Sequence, residues 1–238
     1  MQAYSALAQG YEQLFGEKDG KAWAEYVLSC VKKYSQNNNG VDAGCGTGFI
    51  TRELYNNGFN VTGTDCSIEM LNEAVNKNPN IPYVLQKIQN TKGFSNLGFF
   101  TAINETFNYL TITNVKKALT NINSCLQKNG FLMFDIASEY KLKTILGNNQ
   151  FTGLDQIPFI WQNTLCKDKV YIDFTCFYMQ NNGTYIRKDE SQVQYIHSTQ
   201  SILNLLAETG FKVIKMQGHL GKKLNDKSER INFLVKKV

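Results

Sequence analysis

Arginine is scarce in this 238-residue chain, occurring only as Arg52, Arg187 and Arg230, although the formal net charge is +5. A sequence-specific nucleic-acid binder gathers arginine on one face to read phosphates and base edges, so the scarcity argues against that class. Histidine is scarcer still, with His197 and His219 alone. The six cysteines, Cys30, Cys45, Cys66, Cys125, Cys166 and Cys176, form no C-x-x-C pair. Together these gaps leave no zinc-ligand pattern, and no metal is expected. A disulfide framework is out of place in a domain of this size, so the cysteines read as reduced small hydrophobes. No apolar run approaches the ~20 residues a bilayer-spanning helix needs. The N-terminal MQAYSALAQGYEQLFGEKDG has no basic stretch leading into an apolar one, and the chain is expected to be cytoplasmic, with no membrane association. No internal repeat is present, and the only low-complexity stretch is a short asparagine run.

Apolar residues make up 42% of the chain, enough for a substantial core. The length suits one α/β domain with a small insertion. Apolar spacing predicts helices over 22–34, 49–56, 67–77, 115–126 and 201–208, with Ser67 as an N-cap. Strands are predicted for the segment ending at Val41-Asp42 and for 59–64, 81–85, 98–104, 131–136, 212–216 and 231–236, with turns at QNNNG (36–40) and at 128–130. Strands and helices alternating at this pitch make an open, mostly parallel sheet with helices on both faces. Between 159 and 195 the texture changes to the runs FIWQNTL, KVYIDFTCFYM and TYIRKDESQVQY. Lys167-Asp168-Lys169 and Asn181-Asn182-Gly183 separate them, which predicts an antiparallel insertion rich in aromatics.

The stretch GVDAGCGTGFITREL, Gly40 to Leu54, places Gly44, Gly46 and Gly48 between a strand and a helix. In open α/β sheets ligands bind beyond the carboxyl ends of the strands. Glycines there let backbone N–H groups approach a ligand. Asp65, ending the next strand, is spaced to bond ribose hydroxyls, as in any Rossmann-like nucleoside site. The run is G-x-G-x-G rather than the dinucleotide G-x-G-x-x-G. Asp42 precedes the first glycine, where it would repel a pyrophosphate and suit a cationic ligand. A nicotinamide oxidoreductase is therefore the weakest of the enzyme readings.

DAGCGTG (Asp42–Gly48) followed by VTGTDCSIEML (Val61–Leu71) resembles the class I S-adenosylmethionine-dependent methyltransferases. ETFNYL, LQKNGFLMFDI, YKLKTILGNNQF and SERINFLVKK extend the resemblance over most of the chain, toward a bacterial small-molecule type with an antiparallel lid. The resemblance implies a Rossmann-like methyltransferase fold with a central, mostly parallel seven-stranded sheet and an antiparallel β lid. It implies a cofactor-binding core with an N-terminal helical cap at 1–150, the lid at 151–197 and the rest of the core at 198–238. Its implied cofactor is S-adenosylmethionine, with a small-molecule nitrogen or oxygen acceptor and a monomeric or homodimeric protein. By the same resemblance, Ala43, Gly44, Cys45 and Gly46 line the methionine part and Asp42 lies near the ammonium group. Asp65 takes the ribose hydroxyls, and Cys66, Met70, Lys87 and Ile88 edge the adenine. Asn104, Glu105 and Tyr109 lie at the mouth between cofactor and acceptor, and Tyr4, Tyr11 and Trp23 close over the cofactor. Glu105, Tyr109 and Tyr11 are the candidate catalytic groups. Trp161 and Arg187 of the lid are the candidate acceptor contacts.

Other readings stand beside these. Met70 suits the core as well as the adenine, and the three cap aromatics suit simple packing. Glu105 also reads as a solvated loop acid, Cys45 as a small filler, His197 as a surface or hinge residue and Arg187 as a partner of Asp189 or Glu190. Lys87 stands where the family carries an acid for the adenine amino group, and a lysine cannot accept that bond. Gly98 replaces a frequent acid, and Gln192, Val193 and Gln194 replace charged residues and a histidine. An RNA or protein methyltransferase and a non-catalytic S-adenosylmethionine-binding paralogue therefore remain as alternatives.

Overall fold

The computed structural model describes residues 8–15, 17–154 and 157–238. A short 3-10 turn (Ala8–Gly10) leads into α1 (Tyr11–Phe15) and α2 (Glu17–Tyr34). Then β1 (Asn39–Ala43), α3 (Phe49–Asn56), β2 (Asn60–Asp65), α4 (Ile68–Lys77), β3 (Tyr83–Leu85) and β4 (Leu97–Ala102) alternate. A 3-10 turn (Thr106–Tyr109), α5 (Ile112–Cys125), β5 (Leu126–Ala137) and a π-helical segment (Lys141–Leu146) follow. β6 (Gln150–Gly153), β7 (Phe159–Cys166), β8 (Lys169–Met179) and β9 (Tyr185–Tyr195) precede α6 (Thr199–Glu208), β10 (Phe211–Gln217) and β11 (Arg230–Lys237).

Seven strands form one sheet in the order β10-β11-β5-β4-β1-β2-β3, and β11 alone runs against its neighbours. The fold is the Rossmann-like methyltransferase architecture that the sequence predicts. β4 and β5 lie at its centre, and every residue of β4 is buried, because helices cover both faces. Alternation along β5 divides the core. Leu132, Phe134 and Ile136 join α5 and α6 on one side, while Phe131 and Met133 join α2 and α3 on the other. Phe134 stacks on Phe233 with ring centroids 4.9 Å apart, and truncating such a buried ring costs about 3–5 kcal/mol.

Local chemistry sets the element ends near the site. Ser67 Oγ accepts from the Met70 N–H at 3.2 Å and caps α4, whose Met70, Leu71 and Ala74 face inward. The turn predicted at 128–130 is absorbed into β5. The pairing jumps from Leu97↔Leu126 to Phe99↔Phe131, and Asn129 takes a left-handed φ of 60° to make the irregularity.

The other sheet, β6-β7-β8-β9, is antiparallel. On β8 its covered face carries Val170, Ile172, Phe174 and Cys176, paired across to Gln194, Gln192, Glu190 and Lys188 of β9. Val170 and Ile172 pack on Leu142 and Leu146 of the π-helical segment, and Phe174 and Cys176 pack beside Leu14 of α1.

Candidate functional site

The carboxyl ends of β1, β2, β4 and β5 meet beneath α1 and the inner face of β9. After β1, Gly44, Gly46 and Gly48 all take left-handed φ values of 65°, 56° and 80°. A side chain at Gly44 would sit 2.5 Å from Thr106 Oγ1, so only glycine fits against the next loop. At Gly46 a Cβ would meet nothing within 4 Å, and the loop backbone opens there on free space. The Cys45 N–H donates to Thr64 O at 3.1 Å and ties the loop to β2. Burial, with the Asp65 and Asp42 charges, pushes the Cys45 thiol well up, which suits a filler and not a nucleophile.

Asp65 accepts from the Gly46 N–H at 2.9 Å and the Ser67 N–H at 2.8 Å. A carboxylate can accept about four hydrogen bonds, so the Gly46 and Ser67 donors orient this one for a ligand without filling it. Burial raises its pKa, and those backbone bonds oppose the shift. Asp42 is buried at the floor, with Oδ2 bonded by Thr51 Oγ1 at 2.7 Å and Oδ1 by Thr101 Oγ1 at 2.8 Å. Burial pushes its pKa up to about 6, against those two hydroxyl bonds. Cys66 and Lys87 are exposed beyond β2 and β3, whereas Ile88 and Met70 are buried.

A polar cluster occupies the other end. Asn104 and Glu105 are consecutive left-handed residues with φ of 62° and 64°. Glu105 is 6% exposed, so it is not the solvated loop acid that one sequence reading allowed. Its Oε1 is 2.5 Å from Lys141 Nζ and 3.4 Å from Arg230 Nη2, and its Oε2 accepts from Gln194 Nε2 at 3.3 Å. Burial would raise its pKa, but the Arg230 and Lys141 cations outweigh burial and hold the carboxyl below the usual range. Arg230 Nη1 also donates to Asp135 Oδ2 at 2.8 Å and to Asn104 Oδ1 at 3.2 Å. Its guanidinium lies over the Trp23 ring, 5.3 Å from the centroid. The Glu105 N–H donates to Asp135 Oδ2 at 3.1 Å. Tyr109 OH donates to Gln192 Oε1 at 3.0 Å and accepts from Gln194 Nε2 at 3.2 Å, and Gln192 Nε2 donates to Glu190 Oε1.

The cap joins the two ends. Glu12 Oε1 accepts from Thr47 Oγ1 at 2.7 Å and pairs with Lys77 Nζ at 2.7 Å, which seats α1 on the glycine loop and α4. Burial pushes the Tyr11 phenol up to about 12. Arg230, Glu105 and Asp65 all act on it, which places Tyr11 near both Asp65 and the polar cluster.

Several expected residues sit elsewhere. Trp161 Nε1 donates to Asn163 Oδ1 at 2.7 Å, and its ring packs on Phe151 and Phe174 within the lid sheet. Arg187 is not brought to the cluster. It lies on the opposite face of β9 from Gln192 and Gln194, by strand alternation, and its exposed guanidinium is held by Asp189 Oδ1 at 2.9 Å. His197 is buried, not at the surface, and its Nε2–H points between Phe107 O (3.3 Å) and Leu110 O (3.1 Å). Tyr4 falls outside the described residues.

Arg230, Lys141 and Asp135 were not picked out from the sequence, and Glu190, Gln192 and Gln194 stood out only as an Arg187 partner and as departures from the family pattern. One signal was there: Asp135 interrupts the apolar run FLMFDI, and an acid in a strand buried on both faces requires a cation. Nothing in the sequence said that the cation would be Arg230.

A family profile described as "Methyltransferase domain" matches residues 41–130. A Geobacillus sp. (strain WCH70) protein assigned to the methyltransferases is 30% identical over 98% of this chain and 99% of its own. The crystal structure of an S-adenosylmethionine-dependent methyltransferase from Clostridium acetobutylicum ATCC 824 superimposes with a TM-score of 0.89, at 28% identity, over 98% of both chains. The sugar N-methyltransferase KedS8 from Streptoalloteichus sp ATCC 53650 shares the fold, with a TM-score of 0.77 at 16% identity over 98% of this chain and 93% of its own. The open backbone at Gly46 and the oriented carboxylate of Asp65 fit the cofactor that such enzymes use. By this likeness over 98% of its length, the chain belongs to the class I S-adenosylmethionine-dependent methyltransferases.

Proposed function

We propose that this methyltransferase acts on a small molecule, at a nitrogen or oxygen atom. The observation that carries the reading is the closure of β9 over the site. Gln192 and Gln194, both buried, bond directly to Tyr109 and Glu105 on the core side. Asn108 Nδ2 also donates to Tyr195 O at 2.9 Å. A wall held this tightly against the reactive end leaves room for a small acceptor and little for a folded macromolecule. KedS8, which shares the fold, is a sugar N-methyltransferase, and a small acceptor suits the closure seen here.

S-adenosylmethionine supplies, when bound, a methyl group already activated on a sulfonium. Asp65 holds the ribose hydroxyls, and the backbone of Ala43, Gly44, Cys45 and Gly46 takes the methionine portion. Asp42 shapes the loop through Thr51 and Thr101 from beneath. Cys66, Met70, Lys87 and Ile88 edge the base, Asn104 borders the methionine end, and Tyr11 with Trp23 covers the cleft. Glu105 stays ionised between two cations and orients the acceptor wall through Gln194; it is not poised to take a proton. Tyr109 belongs to that wall. The protein's contribution is therefore alignment and exclusion of water.

Calorimetric titration with S-adenosylhomocysteine, beside an Asp65→Ala variant, tests the cofactor half. Micromolar binding that the variant loses is expected, since two charge-assisted bonds are worth at least about a hundredfold. Radiolabelled methyl transfer to small amines and alcohols, to bulk RNA and to protein tests the acceptor half. Label in RNA or protein alone would overturn the small-molecule assignment, and binding with no transfer to any class would favour a non-catalytic paralogue.

A further inference from the structure

We propose that α1 is a strut between the lid sheet and the cofactor loop, so that the cofactor enters and leaves only when α1 comes off the lid. The proposal rests on the assignment of the glycine loop to the cofactor and adds how occupancy of that loop is tied to the lid.

α1 (Tyr11–Phe15) is five residues long. A helix little longer than one turn has no stability of its own, so its contacts alone hold it in place. Two sets of contacts do so, from opposite sides. Glu12 and Leu14 are two residues apart, and at about 100° per residue they point roughly 200° away from each other. On one side Glu12 Oε1 accepts from Thr47 Oγ1 at 2.7 Å and pairs with Lys77 Nζ at 2.7 Å. Thr47 is buried between Gly46 and Gly48, and Lys77 ends α4, whose cap Ser67 donates its N–H to Asp65. On the other side Leu14 packs with Phe174 and Tyr178 of β8 and with Ile157 just before β7. The turn leading into α1 presses on the same patch. A Cβ at Gly10 would lie 2.5 Å from Ile157 Cδ1 and 2.9 Å from Tyr178 Cε1.

So small a helix moves as one piece. Lifting Glu12 from Thr47 draws Leu14 and Gly10 away from the lid, and a lid that is settled holds the helix down on the glycine loop. Tyr11, on the same turn, is near both Asp65 and the polar cluster, so a cofactor held by Asp65 and the loop is covered by α1. The linkage runs both ways: whatever the lid adds to retention of the cofactor, the cofactor returns as stability of the lid. Leu14, which faces away from the glycine loop, is thus a positioning residue for the cofactor.

The test separates the two sides of α1. Binding and release of S-adenosylhomocysteine are timed by surface plasmon resonance on the wild type, Glu12→Ala, Leu14→Ala and the double variant. Ile202→Val, a core change on the α5 and α6 side of the main sheet, is the control for general softening. Leu14→Ala should speed release about tenfold, the worth of roughly two buried methylenes. Glu12→Ala should speed it up to about fivefold, as a partly exposed ion pair allows. The double variant should show about the product of the two factors, because both contacts break in one step. Leu14→Met refills the patch and should restore slow release, and Ile202→Val should keep the wild-type rate. In the reverse direction, S-adenosylhomocysteine should slow amide hydrogen exchange in β8 at least about threefold in the wild type and not in Leu14→Ala. Release from Leu14→Ala at the wild-type rate overturns the proposal. So does similar acceleration by Ile202→Val, or protection of β8 that survives Leu14→Ala. A wild type that does not bind S-adenosylhomocysteine would instead strike the cofactor assignment, and this proposal with it.

Discussion

Arg230→Met should be the most damaging single substitution at the polar cluster, and its cost has a ceiling that can be worked out. Methionine keeps much of the volume over Trp23 but removes the guanidinium. Glu105 retains Lys141 at 2.5 Å, whereas Asp135 loses Arg230, the one cation paired with it among the described residues. Burial already raises the Asp135 pKa with Arg230 present, and Glu105 adds to the rise. Without Arg230 the folded state escapes an unpaired buried charge by protonating Asp135. Protonating an ordinary aspartate at neutral pH costs about 4 kcal/mol, so the electrostatic loss cannot exceed that figure. Breaking buried ion pairs typically costs about 3–5 kcal/mol, which agrees. For a chain of this size the loss corresponds to a fall in melting temperature of roughly 8–15 °C. The sign with pH follows. A carboxyl whose folded pKa is raised penalises the fold above its unfolded pKa, so the difference between variant and wild type should shrink by about 1.4 kcal/mol per pH unit and be small near pH 4. Urea denaturation of both proteins at several pH values measures it. A loss under about 1 kcal/mol at neutral pH, or one that does not shrink on acidification, would refute the ion-pair reasoning.

Gly46→Ala should cost about 1 kcal/mol for a side chain at left-handed φ and also abolish S-adenosylhomocysteine binding. Gly58→Ala, at φ 84° and equally uncrowded, should cost the same in thermal melts and leave binding intact, and equal binding in the two would remove Gly46 from the cofactor site. Asp42→Asn should stabilise the protein at neutral pH by up to roughly 3 kcal/mol, because a carboxyl raised to about 6 burdens the fold above its unfolded pKa. That gain should vanish near pH 4, while calorimetry shows weaker cofactor binding; a destabilised variant at neutral pH would contradict the assignment. Lys87→Asp restores an acceptor beside the adenine edge and should tighten S-adenosylhomocysteine binding by up to about tenfold, with no change counting against that placement of the base.

The order of strands and helices was legible because periodicity and punctuation agree. Ser67 caps α4 where the sequence places it, and Asn181-Asn182-Gly183 turns between β8 and β9. The geometry of the glycine loop was legible too, since Gly44–Gly48 and Asp65 are near in sequence and constrained by backbone shape. Smaller features were hidden. β6 is four residues at a sheet edge, and the π-helical turn at Lys141–Leu146 has no period of its own. The polar cluster was harder still, because its members come from residues 104, 105, 135, 141, 194 and 230 and meet only through the order of strands. Arg187 misled for a related reason. A one-residue step along β9 decides which face a side chain occupies, and charge alone does not reveal it.

Asn104 and Glu105 hold adjacent left-handed conformations, strained by about 1–2 kcal/mol for the glutamate. The strain is opposed by the Glu105 N–H bond to Asp135 and by the bonds of Lys141 and Arg230 to its carboxylate. Backbone shape and ionic contacts at this turn are therefore one balance rather than two. Removing any one partner lets the turn relax, which spoils the contacts of the others, so their substitutions will combine non-additively. Over evolutionary drift, positions 105, 135, 141 and 230 thus behave as a single heritable locus. Among related sequences they should be kept together or exchanged together, and a chain that has replaced Arg230 should have replaced Asp135 as well.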